Sequence, residues 1–105
     1  MNKINYSEMY IGQTYSKNFQ ITDSLVRDFS QITEDNNPIH LDDNYASNSI
    51  FGKRVAHGML VASFFSTIFG RYFPGEGSIY LSHNFDFKKP VYINDKLETI
   101  TKIQL

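Results

Sequence analysis

Asp35 and His40 are the two side chains in this sequence best suited to chemistry, because they lie five residues apart across a proline-containing turn. Such a turn can bring a carboxylate and a neutral imidazole to one point, where both hydrogen-bond a single water. A water polarised in this way can be deprotonated for attack, since an imidazole titrates near neutral pH and can take or return the proton. Composition alone also allows a plain turn, in which Asp35 caps the turn and His40 begins the next helix.

Gly58 stands at the entrance of an apolar stretch that runs from Val55 to Phe73. A glycine at a helix start lets another molecule approach the backbone closely, while the N–H groups of the first turn remain unpaired. Those donors and the positive end of the helix dipole suit an oxyanion or a polarised carbonyl. The alternative is that Gly58 only makes a tight entry turn. We expect His57, beside it, to hold the helix entrance by hydrogen bonding rather than to act directly.

Other kinds of active site have little support in the sequence. The chain has no cysteine, which removes disulfides, thiol nucleophiles and cysteine-ligated metals. Its three histidines do not share the H-x-x-x-H spacing that aims two imidazoles from one helical face at one ion, so we predict no metal site. Ser63 and Ser66 lack the G-x-S-x-G context of a nucleophilic serine.

The apolar stretch predicts the centre of the scaffold that must position these groups. Its apolar side chains point round the whole circumference of a helix, which is typical of a buried helix. The stretch is shorter than the roughly 20 apolar residues that a bilayer crossing needs. Upstream, helical spacing predicts an amphipathic helix that is capped by Thr22 or Asp23 and ends near Thr33.

Alternation of apolar and polar residues predicts strands on either side of these helices. The signal is weak over 15–20 and clearer over 78–87 and 97–105. Helices on one side of an antiparallel sheet give an α+β domain. The last predicted strand is still in progress at Leu105, so we expect the sheet to lack its final strands.

Composition limits the classes of partner. The 105 residues have room for a single domain over 1–105, and 41% hydrophobic residues are typical of a globular chain. The net charge of −1 gives no basic surface for nucleic acid. Neither a signal peptide nor a membrane span is visible, so we expect a cytoplasmic protein without membrane partners.

The run from Phe29 to Ala46, F-S-Q-I-T-E-D-N-N-P-I-H-L-D-D-N-Y-A, resembles the signature of the MaoC-like dehydratases and (R)-specific enoyl-CoA hydratases. The resemblance continues through V-A-H-G-M-L at 55–60, P-G-E-G-S-I-Y-L at 74–81 and F-D-F-K-K-P-V at 85–91. Glu34 departs from the family pattern, since it stands where the family usually has glycine.

The resemblance implies a hot-dog fold, in which an antiparallel sheet wraps the long helix, usually as a homodimer. It also implies a hydro-lyase of fatty acid metabolism that adds water syn to a trans-2-enoyl-CoA, giving the (R)-3-hydroxyacyl-CoA, and catalyses the reverse dehydration. Carried over by position, Asp35 and His40 hold and activate the water, and the Gly58 N–H polarises the thioester carbonyl. The implied substrate-binding residues are Ser66, Phe69 and His57. No cofactor is implied beyond the CoA carried by the substrate.

Alternatives remain within and outside this activity. The position of Phe69 along the acyl tail favours short acyl chains, and an acyl-carrier-protein substrate stays open. Family members continue for about two more strands of typical length, so another subunit could cover the helix instead. The alternative function is therefore a non-catalytic or partner-dependent hot-dog subunit that binds an acyl thioester. The end of the sequence at Leu105 favours that alternative, whereas Asp35 and His40 together with Gly58 favour the enzyme.

Overall fold

The fold is described by a computed structural model that covers residues 3–104. Its elements are strand β1 (Thr14–Gln20), helices α1 (Asp23–Thr33), α2 (Pro38–Leu41), α3 (Asp43–Ser47) and α4 (Gly58–Thr67), and strand β2 (Lys96–Lys102). A 3₁₀ turn at Tyr6–Glu8 precedes β1, and a π-helical turn at Ile68–Tyr72 continues α4. None of the helices within 3–104 is both long enough and apolar enough to traverse a bilayer.

The two strands form an antiparallel sheet whose inner face lies on α4. Thr14 pairs with Lys102 at one end and Gln20 pairs with Lys96 at the other. The rings of Phe19 and Phe64 stack with their centroids 4.4 Å apart, which joins β1 to α4. The strand predicted over 15–20 is confirmed as β1, and the one predicted over 97–105 is confirmed as β2 as far as Lys102, with Leu105 outside the described residues. In both strands the residues predicted to share one face do so. The inward residues are Tyr15, Lys17, Phe19, Leu97, Thr99 and Thr101.

Helix α1 begins and ends close to where its sequence signals predict. The Thr22 hydroxyl oxygen accepts a hydrogen bond from the Leu25 N–H at 3.2 Å, which satisfies one of the unpaired donors of the first turn. Val26 and Ser30 are buried on the inner face of the helix. One cluster of buried apolar side chains, in which the start of α4 is embedded, consists of Ile21, Val26, Ala56 and Leu60.

The prediction that the apolar helix is buried on all sides is wrong for this chain. Leu60 and Ala62 are buried, but Met59 on the same helix is 52% exposed. The reason is that the sheet within residues 3–104 has two strands, which cover one side of α4. A helix that is apolar all round is therefore only partly covered here.

The strand predicted over 78–87 is also not found in the described part of the chain. The segment contacts α4, but it is paired with neither β1 nor β2, and the described residues contain no third strand beside it. Leu81 is 89% exposed as a result. Aromatic contacts hold the segment instead, for example Phe85 with Phe65 at a centroid distance of 6.4 Å.

The backbone conformation of Glu34 explains why the family usually has glycine at this position. Glu34 is the C-cap of α1 and has φ 64° and ψ 11°, the left-handed region that disfavours residues with a side chain. We expect Glu34→Gly to raise the free energy of unfolding by about 0.5 to 1 kcal/mol, because the relief of strain exceeds the entropy that glycine loses on folding. Urea unfolding of the parent and the variant measures this change.

Glu34→Ala is the matched control for that prediction. It removes the same charge but keeps the Cβ atom, so it should not reproduce the gain. Equal stabilisation by alanine and glycine would show that the charge, and not the backbone conformation, is the source of the effect.

Candidate active site

Three side chains that the sequence singles out come together where α1, α2 and α4 meet. Asp35 lies in the loop after α1, His40 in α2, and His57 at the N-cap of α4. One oxygen or nitrogen atom of each lies within 4.8 Å of the others. The imidazole rings of His40 and His57 stack with centroids 3.8 Å apart and planes inclined by 29°. Asp35 is exposed and His40 is half-buried, so both side chains are accessible from solvent.

The loop that carries Asp35 has its shape from short-range hydrogen bonds. The Thr33 hydroxyl donates to the Phe29 carbonyl at 2.7 Å, and its oxygen accepts from the Asp35 N–H at 3.2 Å. The Asn37 side chain accepts from the Ile39 N–H at 3.1 Å and so caps α2, whose first residue is Pro38. The Asn-Pro pair thus starts the short helix that presents His40.

The hydrogen bond of His40 determines which of its nitrogens can do chemistry. Its Nδ1 lies 2.7 Å from the Val55 carbonyl oxygen, and a carbonyl can only accept, so we assign the proton to Nδ1. Nε2 then keeps its lone pair and can accept a proton. The Arg54 Nε donates to the His40 carbonyl at 2.8 Å, which fixes the backbone of the same residue.

Arg54 is a supporting residue that the sequence analysis missed. Its guanidinium is 8% exposed and also donates to the carboxylate of Asp23. Hydrogen bonds from Arg54, and secondly from Arg27, hold the pKa of Asp23 below its usual value. The buried guanidinium therefore ties the start of α1 to the end of α2. In the sequence, Arg54 stands in a loop beside Lys53, and nothing there distinguishes a buried arginine from a solvent-exposed one.

His57 is buried, with 3% of its surface exposed. Its Nε2 lies 3.1 Å from the Asp35 carbonyl oxygen and 2.9 Å from the Ser30 hydroxyl, so we assign the proton to Nε2. Its Nδ1 is buried and has no hydrogen-bond partner among residues 3–104. Burial lowers the pKa of His57 below 6.5, because a charged ring is disfavoured where water is excluded.

This lowered pKa predicts a pH dependence of stability. Between the folded-state pKa and 6.5 the unfolded chain binds more protons, so the contribution of neutral His57 is complete above pH 6.5 and declines as the pH falls below it. We expect the free energy of unfolding, measured by urea titration, to fall more steeply between about pH 7.5 and about pH 5.5 in the parent than in His57→Gln. If the free energy of unfolding changes equally with pH in the two proteins, the lowered pKa of His57 is contradicted.

Gly58 is the first residue of α4 and lines a cavity of about 340 Å³. A Cβ atom placed on it would lie 3.2 Å from three ring atoms of Phe87, so close packing of that ring is one reason for a glycine here. The N–H of a first helical residue has no acceptor within its own helix. The cavity is bordered by Lys88 and Lys89, which carry positive charge at its rim.

Ser66 and Phe69 lie together, but away from the cluster of Asp35, His40 and His57. Both line a second cavity of about 380 Å³, where the rings of Phe69 and Tyr80 are 5.7 Å apart. Ser66 follows Gly58 by eight residues along α4, a rise of about 12 Å. The predicted substrate-binding residues therefore occupy separate places, with His57 buried beside Asp35 and His40, and Ser66 and Phe69 further along the helix.

The cluster has the residue types of a metal site but not the orientation. An ion lies in the plane of each imidazole that binds it, along the lone pair of the nitrogen. The planes of His40 and His57 are stacked at 3.8 Å, so their lone pairs run side by side rather than converge. The prediction that the chain has no metal site therefore stays a prediction.

Comparison with protein families identifies the chain. Residues 8–104 match the family model described as MaoC like domain, and the chain belongs to this family. It is 36% identical over 98 residues to a 3-hydroxybutyryl-CoA dehydratase of Methylorubrum extorquens, covering 93% of this chain and 62% of that protein. It is 43% identical over 87 residues to an (R)-specific enoyl-CoA hydratase of Aeromonas caviae, covering 83% and 65%.

Solved structures agree with this family and show that the fold is a hot-dog fold. The (R)-hydratase of Aeromonas caviae superposes with a TM-score of 0.89 at 35% identity, covering 92% of this chain and 74% of that one. An R-hydratase of Pseudomonas aeruginosa superposes with a TM-score of 0.92 at 34% identity, covering 96% and 65%. The chain spans between three fifths and two thirds of the length of the two relatives matched by sequence.

Proposed function

We propose that this chain is an (R)-specific hydratase that adds water to a trans-2-enoyl-CoA to give the (R)-3-hydroxyacyl-CoA, and that it catalyses the reverse dehydration. The observation that carries the proposal is the juxtaposition of the Asp35 carboxylate and His40, whose Nε2 has its lone pair free. The names of the family relatives, (R)-specific enoyl-CoA hydratase and 3-hydroxybutyryl-CoA dehydratase, support the same reaction.

The reaction follows from the two groups and one water. The Asp35 carboxylate accepts a hydrogen bond from the water and orients it, and His40 Nε2 accepts the other hydrogen as the water oxygen bonds to C3 of the enoyl group. The electron pair of the double bond moves into the thioester, which becomes an enolate. The protonated His40 then delivers the proton to C2, which restores the carbonyl and the neutral imidazole. Since one group takes and returns the proton on one face, the addition is syn.

The start of α4 is suited to the charge that develops on the thioester oxygen. The Gly58 N–H has no acceptor in its own helix, and the positive end of the helix dipole favours an enolate oxygen there. His57, the residue before Gly58, contacts the Asp35 carbonyl, so the oxyanion donor and the water-activating pair are adjacent in the structure. No cofactor takes part in this scheme beyond the CoA of the substrate.

The acyl group and the assembly of the chain are further parts of the proposal. The rings of Phe69 and Tyr80 narrow the cavity along α4, which supports a short acyl chain. We also propose a homodimer or a higher homo-oligomer, and the exposed apolar side chains of Met59, Ile79 and Leu81 support it because association would cover them.

The test is hydration of crotonyl-CoA, followed by loss of the enoyl absorbance, with the configuration of the product determined by chiral chromatography. The proposal predicts (R)-3-hydroxybutyryl-CoA and slower hydration of long-chain enoyl-CoA substrates. A folded chain that binds the thioester without converting it would refute the hydratase and favour the alternative, a non-catalytic or partner-dependent hot-dog subunit.

A further inference from the structure

We propose that His57 is the positioning residue of the water-activating pair: its Nε2–H fixes the backbone of Asp35 while the face of its ring fixes the plane of His40. The inference rests on the proposed hydratase function. It extends the sequence prediction that His57 holds the helix entrance by hydrogen bonding, and it replaces the prediction that His57 binds substrate.

His57 contacts the loop that carries Asp35. The Asp35 carbonyl oxygen lies 3.1 Å from His57 Nε2, and this hydrogen bond connects the loop to the N-terminus of α4. The other hydrogen bonds of the loop are local, from the Asp35 N–H to Thr33 and from the Asn36 N–H to Glu34. The contact with His57 therefore sets where the exposed carboxylate stands relative to α4.

The ring of His57 also contacts the ring of His40. The His40 ring turns about the Cβ–Cγ bond, and the hydrogen bond from Nδ1 to the Val55 carbonyl holds one edge of it. The ring of His57 lies against one face at a centroid distance of 3.8 Å, and this contact limits how far the His40 ring can turn toward that side. Phe29 contacts the ring of His57 at 4.8 Å and so supports it.

The position of His57 favours a neutral imidazole. A side chain here must donate one hydrogen bond, present a flat face and carry no charge next to His40. His57 does so because its surroundings are buried and its Nδ1 has no partner in the described chain, so protonation of Nδ1 is disfavoured. The groups that face His57 are His40 and Asp35, together with the uncharged Ser30 and Phe29.

The test compares two substitutions of His57 in crotonyl-CoA hydration. His57→Phe keeps a flat ring but loses the donor, whereas His57→Gln keeps an N–H donor at nearly the same distance from the backbone. We expect His57→Phe to lower kcat on the order of 10²-fold, because a small displacement of the pair suffices for such a loss. KM should stay within about threefold, because the buried side chain of His57 is not accessible to a substrate. His57→Gln should recover about tenfold of the lost kcat.

Ser30→Ala is the matched control, since it removes the other partner of Nε2 and leaves the bond to Asp35. It should lower kcat by no more than about threefold. A loss in Ser30→Ala equal to that in His57→Phe would overturn the proposal, as would equal losses in His57→Phe and His57→Gln, or a loss expressed mainly in KM. Circular dichroism and urea unfolding of each variant separate these results from a failure to fold.

A measurement without turnover separates this proposal from the proposed function. The carbonyl carbon of Asp35 reports its hydrogen bond through its NMR chemical shift. We expect this shift to move in His57→Phe and to return toward the parent value in His57→Gln. An unchanged shift in His57→Phe would overturn the positioning role even if the parent is an active hydratase. A parent that is folded and inactive, but shows the expected shifts, would refute the hydratase and keep the role of His57 in shaping the pair.

Discussion

His40→Asn should lower kcat for crotonyl-CoA hydration by about 10²- to 10⁴-fold, the range that loss of a general acid–base group produces. Asparagine can place its amide nitrogen close to the position of Nδ1 and so keep a donor toward the Val55 carbonyl, which accepts from His40 at 2.7 Å in the parent. It has no counterpart of Nε2. The variant therefore removes the proton acceptor while it retains the hydrogen bond that anchors the side chain.

His40→Gln is the complementary variant. Its amide reaches the position of Nε2 but does not titrate, and it lacks a donor at the position of Nδ1. Both variants should be folded and both should be nearly inactive if proton transfer at Nε2 is the function of this residue. Activity close to that of the parent in either variant would contradict the assignment of His40 as the proton acceptor.

Asp35→Asn should lower kcat by about 10²- to 10³-fold, because an amide replaces one of the two oxygens that can orient the water and removes the negative charge opposite the imidazole. The substitution is nearly isosteric. The backbone hydrogen bond between the Asp35 carbonyl and His57 is available to asparagine as well, so the loop keeps its anchor. Initial rates across a range of crotonyl-CoA concentrations separate kcat from KM.

Glu34→Gln is the control for Asp35→Asn, since it neutralises the adjacent exposed carboxylate. We expect its kcat to stay within about twofold of the parent, because surface charges beside a site act weakly through water. A loss as large as that of Asp35→Asn would mean that the local negative charge matters rather than the particular carboxylate at position 35.

Local signals in the sequence predict much of the fold. The cap at Thr22, the helical spacing over α1 and the alternation in β1 and β2 each depend on a few neighbouring residues, and each has its expected place. The strand over 78–87 and the complete burial of α4 could not be obtained in this way, because both depend on which distant strands are present to pair and to cover. Alternation is a property of a segment, whereas a strand also needs a partner.

In the candidate site, too, local features could be predicted from the sequence and contacts between distant residues could not. The spacing of Asp35 and His40 across Asn37-Pro38 predicts that they converge, since the geometry of one short turn is enough to bring them together. The stacking of His57 on His40 and the hydrogen bond of the buried Arg54 to the His40 carbonyl could not be predicted, because they join residues at least 14 positions apart. Glu34 is an intermediate case. Its departure from the family glycine is visible in the sequence, but its left-handed conformation is visible only in the structure.

Whether Asp35 and His40 act together on one water is measured by a double-mutant cycle in kcat/KM for crotonyl-CoA hydration. The cycle consists of the parent, Asp35→Asn, His40→Asn and the double variant. If the two groups act as a unit, the kcat/KM of the double variant is little lower than that of the less active single variant, because either substitution already disables the step. Losses that multiply would mean that the two residues contribute independently, and this result would contradict the shared water.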